Sequence, residues 1–417
     1  MRSPSDPFAV AQAQFDAAAA FLGLDQDLAE FLRWPRREFV FTVPVRMDDG
    51  RTRTVQGYRV QYNNARGPCS GGLRWHADGT PLAGRAMAAG MTWRTALMDL
   101  PLGGAAGGLM CDSKKFSETE KERAVRGWMR AMARELGPQR DIITPDIYTT
   151  PQIMAWLRDE YEAITGQSCP AVVTGQPVAL GGSLGRDDAT ARGGVLAVRE
   201  ACRVVAEVDP QGAYAIQGFG NAGQNAALLH PEILGGGRLI AVADTSGAIY
   251  NKNGLDPQAV VTYKRKTGQV AGFPGVEPIG AEDLLELKVE VLYPVALEGV
   301  ITGNNADQIN AKIICELADG AITPEAETIL HVKGVHVIPD FLANAGGVTA
   351  SYFEQVHGGD DHGCTRAEMH RLLDAKMTRA YQDVYEMHKN RNVPMRLAAG
   401  LLAVSRVAEA VRLRGWV

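Results

Sequence analysis

No stretch of this sequence reaches the roughly 18 consecutive apolar residues that a membrane span requires, so no membrane association is expected. The leading segment MRSPSDPFAVAQ has neither an apolar core nor a cleavage pattern, and no signal peptide is expected. Cysteines are few. Cys69, Cys111, Cys169, Cys202, Cys315 and Cys364 are scattered with no Cys-x-x-Cys pair, which argues against a disulfide frame or a zinc site and suits reduced thiols in a cytoplasm. Positive charge is not in excess, with 43 Lys and Arg against 48 Asp and Glu. A net charge of −5 gives no support for nucleic-acid binding, and the one basic run, Lys264-Arg265-Lys266, falls where a helix should end and where cations complement the helix dipole. Repeats and low-complexity tracts are absent.

What is present is an ordinary globular composition, 46% hydrophobic and 22% charged, on a chain of 417 residues. That length exceeds what one core serves, so two domains are expected. The organising stretch is MTWRTALMDLPLGGAAGGL (91–109). An apolar helical segment, Met91 to Met98, leads into a Pro/Gly-rich turn expected over Asp99 to Gly108. Four glycines (Gly103, Gly104, Gly107, Gly108) bracket Ala105-Ala106, so the backbone can approach either a packed helix or a ligand.

Before it, residues 8–33 read as one or two amphipathic helices. A hairpin follows, with Glu38–Met47 and Val55–Tyr62 joined at Asp49-Gly50. The stretch from Asn63 to Arg74 then breaks into a loop carrying two arginines. After it, the capping box at Ser117 opens a helix to Leu136, and Thr144-Pro145-Asp146 forms a turn before a helix over Gln152–Ile164. Val172–Gly194 reads as a hinge and the entry to a helix. From there helix and strand alternate: Val195–Glu207, Ala213–Gln217, Gln224–His230, Arg238–Ala243, Val289–Val295, Ala306–Asn310, Ile313–Glu316, Glu325–Val332 and His336–Ile338. Pro339–Gly347 opens a long helix, and two amphipathic helices, Arg366–Lys389 and Pro394–Leu413, close the chain.

Gly218-Phe219-Gly220-Asn221-Ala222-Gly223 sits between a strand and a helix, with Asp244 ending the next strand. In that setting the glycines bring backbone N–H groups to a pyrophosphate at a helix N-terminus, and the acid accepts from a ribose diol. An acid there disfavours a 2′-phosphate, so NAD is expected over NADP. His357, Asp360, Asp361, His362 and Cys364 are donor types for a metal, but they stand among glycines with no fixed ligand spacing; a solvated loop is the stronger reading and no metal is expected.

The segments GYRVQYNNARGP (57–68), GGLR (71–74), MTWRTALMDLPLGGAAGG (91–108), TPD (144–146), VTGQP (173–177), GGSLGRDDAT (181–190), QGFGNAG (217–223) and IPDFLANAGGVTASYFE (338–354) resemble the Glu/Leu/Phe/Val dehydrogenases, glutamate dehydrogenases most closely. The resemblance covers about residues 38–415. It implies an α/β protein of two domains. Residues 1–186 would form a substrate and oligomerisation domain, with 360–417 packing back on it, and 187–359 a Rossmann-like NAD(P)-binding domain. It also implies a hexamer, a cleft between the domains, and reversible oxidative deamination of glutamate.

Carried over position by position, the resemblance makes Asp146 the catalytic aspartate, Ser351 a contact to the substrate side-chain carboxylate, and Thr190 and Asn344 neighbours of the nicotinamide, beside Gly218, Gly220, Asn221, Gly223 and Asp244 for the cofactor. The departures fall at cations. Ser70 and Arg94 stand where the family has substrate-carboxylate lysines, and Ala106 replaces the catalytic lysine. The segment Glu316-Leu317-Ala318-Asp319-Gly320-Ala321-Ile322-Thr323 also departs from the family's E-G-A-N-G-P-T, so weakened cofactor binding is expected. GGAAGG in place of GGAKGG resembles non-catalytic regulatory subunits that some bacteria assemble with a catalytic glutamate dehydrogenase. An effector such as leucine would then occupy the less charged site. The alternative is an active dehydrogenase on glutamate or another amino acid, as a homo-oligomer.

Overall fold

A computed structural model describes residues 6–77, 79–357 and 364–417. Asp360, Asp361 and His362 of the candidate metal loop lie outside the described residues. The chain divides into two units: 1–186 with 348–369 and 400–417, and 187–347 with 370–399.

The first unit begins with α1 (Pro7–Leu22) and α2 (Gln26–Arg33), followed by β1 (Arg37–Arg46), β2 (Thr52–Asn63), β3 (Cys69–Trp75), α3 (Pro81–Leu97), β4 (Gly104–Leu109), α4 (Glu118–Met132), β5 (Asp141–Pro145) and α5 (Pro151–Thr165). Its sheet has the order β1-β2-β4-β3-β5. The β1–β2 hairpin turns at Gly50, whose φ of 84° is the left-handed value such a turn needs. The capping box of α4 forms through Ser117 and Glu120, and Glu120 also accepts from the Asp48 N–H, pinning the hairpin tip to the helix.

Two expectations fail here. The glycine turn ends at Gly103, and Gly104–Leu109 is a fully buried strand in the middle of the sheet. Glycine is a poor strand former, but its neighbours demand it. A Cβ on Gly104 would lie 2.5 Å from the Ala88 carbonyl of α3, and one on Gly107 would lie 2.8 Å from Arg59 Cδ. The expected Asn63–Arg74 loop is likewise short, because Cys69–Trp75 pairs with both β4 and β5.

The space left under β4 is filled by Arg59, wholly buried with Asp141. Arg59 donates to both carboxylate oxygens and to the carbonyls of Gly71, Gly72 and Ile142. Gln61 adds a bond to the same carboxylate.

The second unit contains α6 (Ala189–Val204), β6 (Ala213–Gln217), α7 (Asn221–Leu234), β7 (Arg238–Asp244), β8 (Gly247–Tyr250), α8 (Pro257–Thr267), β9 (Glu277–Ile279), α9 (Ala281–Glu286), β10 (Val289–Pro294), β11 (Ala311–Cys315), α10 (Pro324–Val332), β12 (His336–Ile338) and α11 (Asp340–Ala343). The sheet order is β12-β11-β10-β6-β7-β8-β9, parallel from β12 to β7 and antiparallel at the β8–β9 edge. The chain leaves β6 towards β7 on one side and returns at β10 on the other, so β6 and β10 flank the topological switch point. The helix expected at Ala306–Asn310 is a run of turns instead. There Asn305 bonds the backbone of Val300 and Thr302, and the Lys333 ammonium takes the carbonyls of Ala306, Asp307 and Ile309.

Three helices close the chain: α12 (Gly346–His357), α13 (Arg366–Arg391) and α14 (Met395–Leu413). Contrary to the expectation that 360–417 returns as a block to the first unit, 370–399 belongs to the second. The reason is polar as well as apolar. Arg199 bonds Asp374 at 2.7 and 2.8 Å, and the Tyr381 hydroxyl meets His336 Nε2 at 2.9 Å. Among the described residues no helix is long and apolar enough to cross a membrane.

Replacing Asp141 with Ala strands the Arg59 guanidinium in the core. The first unit should lose about 3–5 kcal/mol, read as a lower denaturant midpoint for its unfolding transition. Two histidines of the second unit, His230 buried and His336 half-buried, give a pH signature. Burial holds the pKa of His230 down at about 3 and of His336 at about 4, so both fold neutral and must stay neutral. Their contribution is complete above pH 6.5 and is lost as pH falls towards 4. Unfolding free energy should fall by about 1.4 kcal/mol per pH unit for each, measured by denaturation between pH 7.5 and 4.5. His336→Gln should flatten that slope.

Candidate functional site

In the first unit the site is built on one face of three adjacent strands. Alternation puts Ser70, Gly72 and Arg74 of β3 on the same face, and the parallel register sets Ala106 of β4 beside Gly72. A Cβ on Gly72 would lie 2.7 Å from both Cβ and Oδ2 of Asp146, just past the end of β5. Ala106 is therefore one strand away from the residue that abuts Asp146. The Ala106 methyl group packs in the cluster of Tyr58, Val60 and helix α3.

The cation on Asp146 is Arg74, with Nη2 3.3 Å from Oδ1. The other contacts of Asp146 are local, through Thr149 and its own backbone turn. No lysine pairs with it among the described residues. Lys114 lies 5.1 Å over the Tyr148 ring and Lys115 pairs at 4.0 Å with Asp112. The second arginine of the expected loop, Arg66, pairs with Asp99 at 2.6 Å. Ser70 is buried, and Arg94 sits half-buried on α3 with Nη1 3.7 Å from Met91 Sδ.

Ser351 is held by a residue that the motif reading did not single out. Arg186 donates to the Ser351 hydroxyl from Nε at 3.2 Å and Nη2 at 2.9 Å. Glu354 lies 3.8 Å from Arg186 and accepts from the Gly175 N–H at 2.7 Å; burial pushes its carboxyl pKa up. Gly175 has φ 71°, and a Cβ there would meet Pro145 at 2.6 Å and the Arg186 guanidinium at 3.2 Å. Arg186 and Ser351 thus stand close behind Pro145, next to Asp146. The signal for Arg186 was present in GGSLGRDDAT, but nothing in the sequence alone says which cation a distant serine will meet.

The expected cofactor residues all belong to the second unit. Gly218 ends β6 with φ 107°, Gly220 opens α7, and a Cβ on Gly223 would strike the Gly218 carbonyl. The α7 N-terminus has no side-chain cap, leaving N–H groups for an anion. Two buried acceptors, Gln217 Oε1 and Asn344 Oδ1, have no partner, as expected where ribose hydroxyls or a carboxamide would donate. Thr190 abuts Gly347, its hydroxyl 2.7 Å from where a Cβ would be. Asn344 Nδ2 donates to Asp319 at 2.7 Å. The altered 316–323 segment is fixed by Arg396, which pairs with Glu316, with Glu327 at 3.1 Å and with Asp340 at 2.7 Å; Asp340 in turn accepts from Gly320 N–H. These features fit a dinucleotide.

Asp244 is less simple than the motif implied. Lys264 Nζ and Val270 N–H bond its Oδ2 at 2.6 and 2.9 Å, while Ser246 donates to Oδ1 from its N–H and hydroxyl. The carboxylate, held below the usual range by these partners despite burial, already has its acceptor positions filled and its charge paired. The basic run is therefore part of the site: Lys264 both ends a helix and neutralises the acid.

An α/β chain with a glycine-rich turn at the switch point of a parallel sheet is a nucleotide-binding protein by architecture. Its family is specific. The dimerisation domain of Glu/Leu/Phe/Val dehydrogenases matches residues 35–163, and the Glutamate/Leucine/Phenylalanine/Valine dehydrogenase model matches residues 181–415. The chain belongs to this NAD(P)-dependent family, close to glutamate dehydrogenase. It is 45% identical to a glutamate dehydrogenase of Thermotoga maritima, over 98% of both chains, and 40% identical to an NAD-specific glutamate dehydrogenase of Staphylococcus aureus, over 95% of both. Among solved structures, it matches a hetero-hexameric glutamate dehydrogenase from Thermus thermophilus in its Leu-bound form. The TM-score is 0.92 and identity 36%, covering 100% of this chain and 99% of that one. The Peptoniphilus asaccharolyticus enzyme matches at TM-score 0.88 and 35% identity, covering 99% of this chain and 100% of that one.

With Lys264 neutralising Asp244, the acid's bias against a 2′-phosphate is weakened. Lys264→Ala should raise the ratio of NADPH to NADH dissociation constants by about tenfold or more, measured by nucleotide fluorescence; an unchanged ratio would place Lys264 outside cofactor recognition.

Proposed function

We propose that this chain is a glutamate dehydrogenase subunit of impaired turnover that assembles into a hexamer with a catalytic paralogue. The observation that carries this reading is Ala106 on the Asp146 face, with no lysine paired to the aspartate among the described residues. Deamination needs hydride to leave the substrate Cα and water to add to the resulting imine. A bound nicotinamide supplies the hydride acceptor. Asp146 remains to move protons, but alanine can neither polarise the substrate oxygen nor help activate water. Loss of such a group costs about 10²–10⁴-fold in rate.

Binding groups persist. Ser351 accepts from Arg186, so its own proton is free for a carboxylate. Ser70 offers a neutral hydroxyl where a cation would be stronger, and Arg94 offers a guanidinium. A site with fewer cations suits a monocarboxylate effector, and the Leu-bound hetero-hexamer of the Thermus structure supports leucine beside glutamate as its occupant. NAD is the expected cofactor, as in the NAD-specific relative, with affinity reduced by the filled Asp244 and the altered 316–323 segment. Five of the cysteines, Cys69, Cys111, Cys169, Cys202 and Cys315, are free thiols, which suits a cytoplasmic setting.

A second reading, an active homo-oligomeric dehydrogenase, draws support from the retained Asp146 and the relatives at 40–45% identity. The test is glutamate-dependent NAD reduction by the purified chain beside the Ala106→Lys, Ser70→Lys double variant. Silence of the native chain with a gain of at least about 100-fold in the variant supports the impaired subunit. Robust native turnover, abolished by Asp146→Asn, replaces that reading with the second.

A further inference from the structure

The end of the first sheet opposite Asp146 holds a polar cavity of about 340 Å³. The N-terminal ends of the parallel strands β3 and β5 gather there with the start of β1 and the end of β2. Asp141, at that end, precedes Asp146 by five steps of extended chain, a span of about 16 Å.

The cavity is lined by Arg36, Arg37 and Arg140 against a single carboxylate, Glu135. Three guanidiniums to one acid is the reverse of the chain as a whole, whose net charge is −5. The Arg37–Glu135 pair is long, at 3.4 Å, and its side chains are 63% and 36% exposed, so it does little to cancel the charge. Arg36 forms no ion pair among the described residues. It donates to Asn64 Oδ1 at 2.7 Å and lies 4.0 Å over the Trp416 ring. Arg140 also lacks a carboxylate partner there and donates to the Arg134 carbonyl. Burial and the neighbouring charges of Arg37 and Arg414 depress the Arg36 pKa, the mark of a cation cluster left without counter-charge.

We propose that this cavity binds a small polyanion through its carboxylate or phosphate groups, at a site separate from Asp146. Guanidiniums grip such groups with paired, charge-assisted bonds, and the volume suits a small metabolite. The cavity wall also touches the core network. Gln61 donates to the Glu135 carbonyl and to Asp141, Asp141 holds Arg59, and Arg59 bonds the carbonyls of Gly71 and Gly72 beside Asp146. An occupant therefore sits at one end of a continuous hydrogen-bonded path whose other end is the site strand.

The test uses the full chain, titrated by calorimetry with pyrophosphate and with citrate, each against sodium chloride of matched ionic strength. The two probes separate a phosphate ligand from a carboxylate one. The expected result is saturable binding of at least one probe with Kd below about 1 mM, weakened about tenfold or more in Arg36→Gln/Arg140→Gln and retained in Asp146→Asn. Should the glutamine variant not fold by circular dichroism, Arg36→Lys/Arg140→Lys decides, with weakened but measurable binding expected. Heats equal to those of matched chloride overturn the proposal. So does binding unchanged in the arginine variants, which would locate the probe at another site such as the α7 N-terminus. A change of oligomeric state in those variants by light scattering, with probe affinity intact, assigns the arginines to a subunit contact and overturns it as well. None of these outcomes depends on whether the chain turns over glutamate.

Discussion

The wholly buried pair of Arg59 and Asp141 is the constraint on which the first unit depends. Every N–H of the guanidinium has an acceptor: two carboxylate oxygens and three main-chain carbonyls of β3 and β5. Such a pair gives little net stability over a well-packed apolar core, but its partners cannot be separated without leaving a charge in a medium of low polarity. It therefore fixes the relative placement of β2, β3 and β5. Arg59 can cross beneath β4 only because Gly107 has no side chain, and α3 can close over the other face only because Gly104 has none. The glycine cluster thus serves the sheet and an arginine within it, and the flat, small-residue face opposite Asp146's strand follows from the same requirement.

In each unit a cation stands against the carboxylate of the candidate site. In the first unit Ala106 on β4 carries no charge, and the guanidinium of Arg74, which belongs to the GGLR segment that carries the resemblance, faces Asp146. A guanidinium stays charged at any physiological pH, so it can hold an anion but has no proton to exchange. In the second unit the Lys264 ammonium bonds Asp244, the acid expected to read the ribose.

Arg396 organises the second unit in the complementary way, one cation among Glu316, Glu327 and Asp340. Its carboxylates also accept from the backbone of Ile322 and Gly320, so the 316–323 segment is fixed by charge-assisted bonds despite its altered residues.

Much of this was written locally. The β1–β2 hairpin, the α4 capping box, the glycine turn after β6 and the alternation of strand and helix beyond it depend on contacts within a few residues, so pattern and spacing located them. The family motifs likewise picked out Asp146, Ser351 and Ala106 by position. Other features are set by partners far along the chain. Gly104–Leu109 reads as a turn by composition and becomes a strand because two flanking strands and a helix demand a backbone without side chains. Lys264 reads as a helix-end cation and becomes the partner of an acid twenty residues earlier. Arg186 finds Ser351 across 165 positions, and residues 370–399 join the second unit through bonds to Arg199 and His336. The sequence by itself determined the hairpin, the capped helix and the glycine turn after β6, and that position 106 carries no lysine, because those rest on local geometry and residue identity. Tertiary structure alone decided which cation faces which carboxylate, because an ion pair costs or stabilises according to burial and distance, and neither exists until the chain has folded.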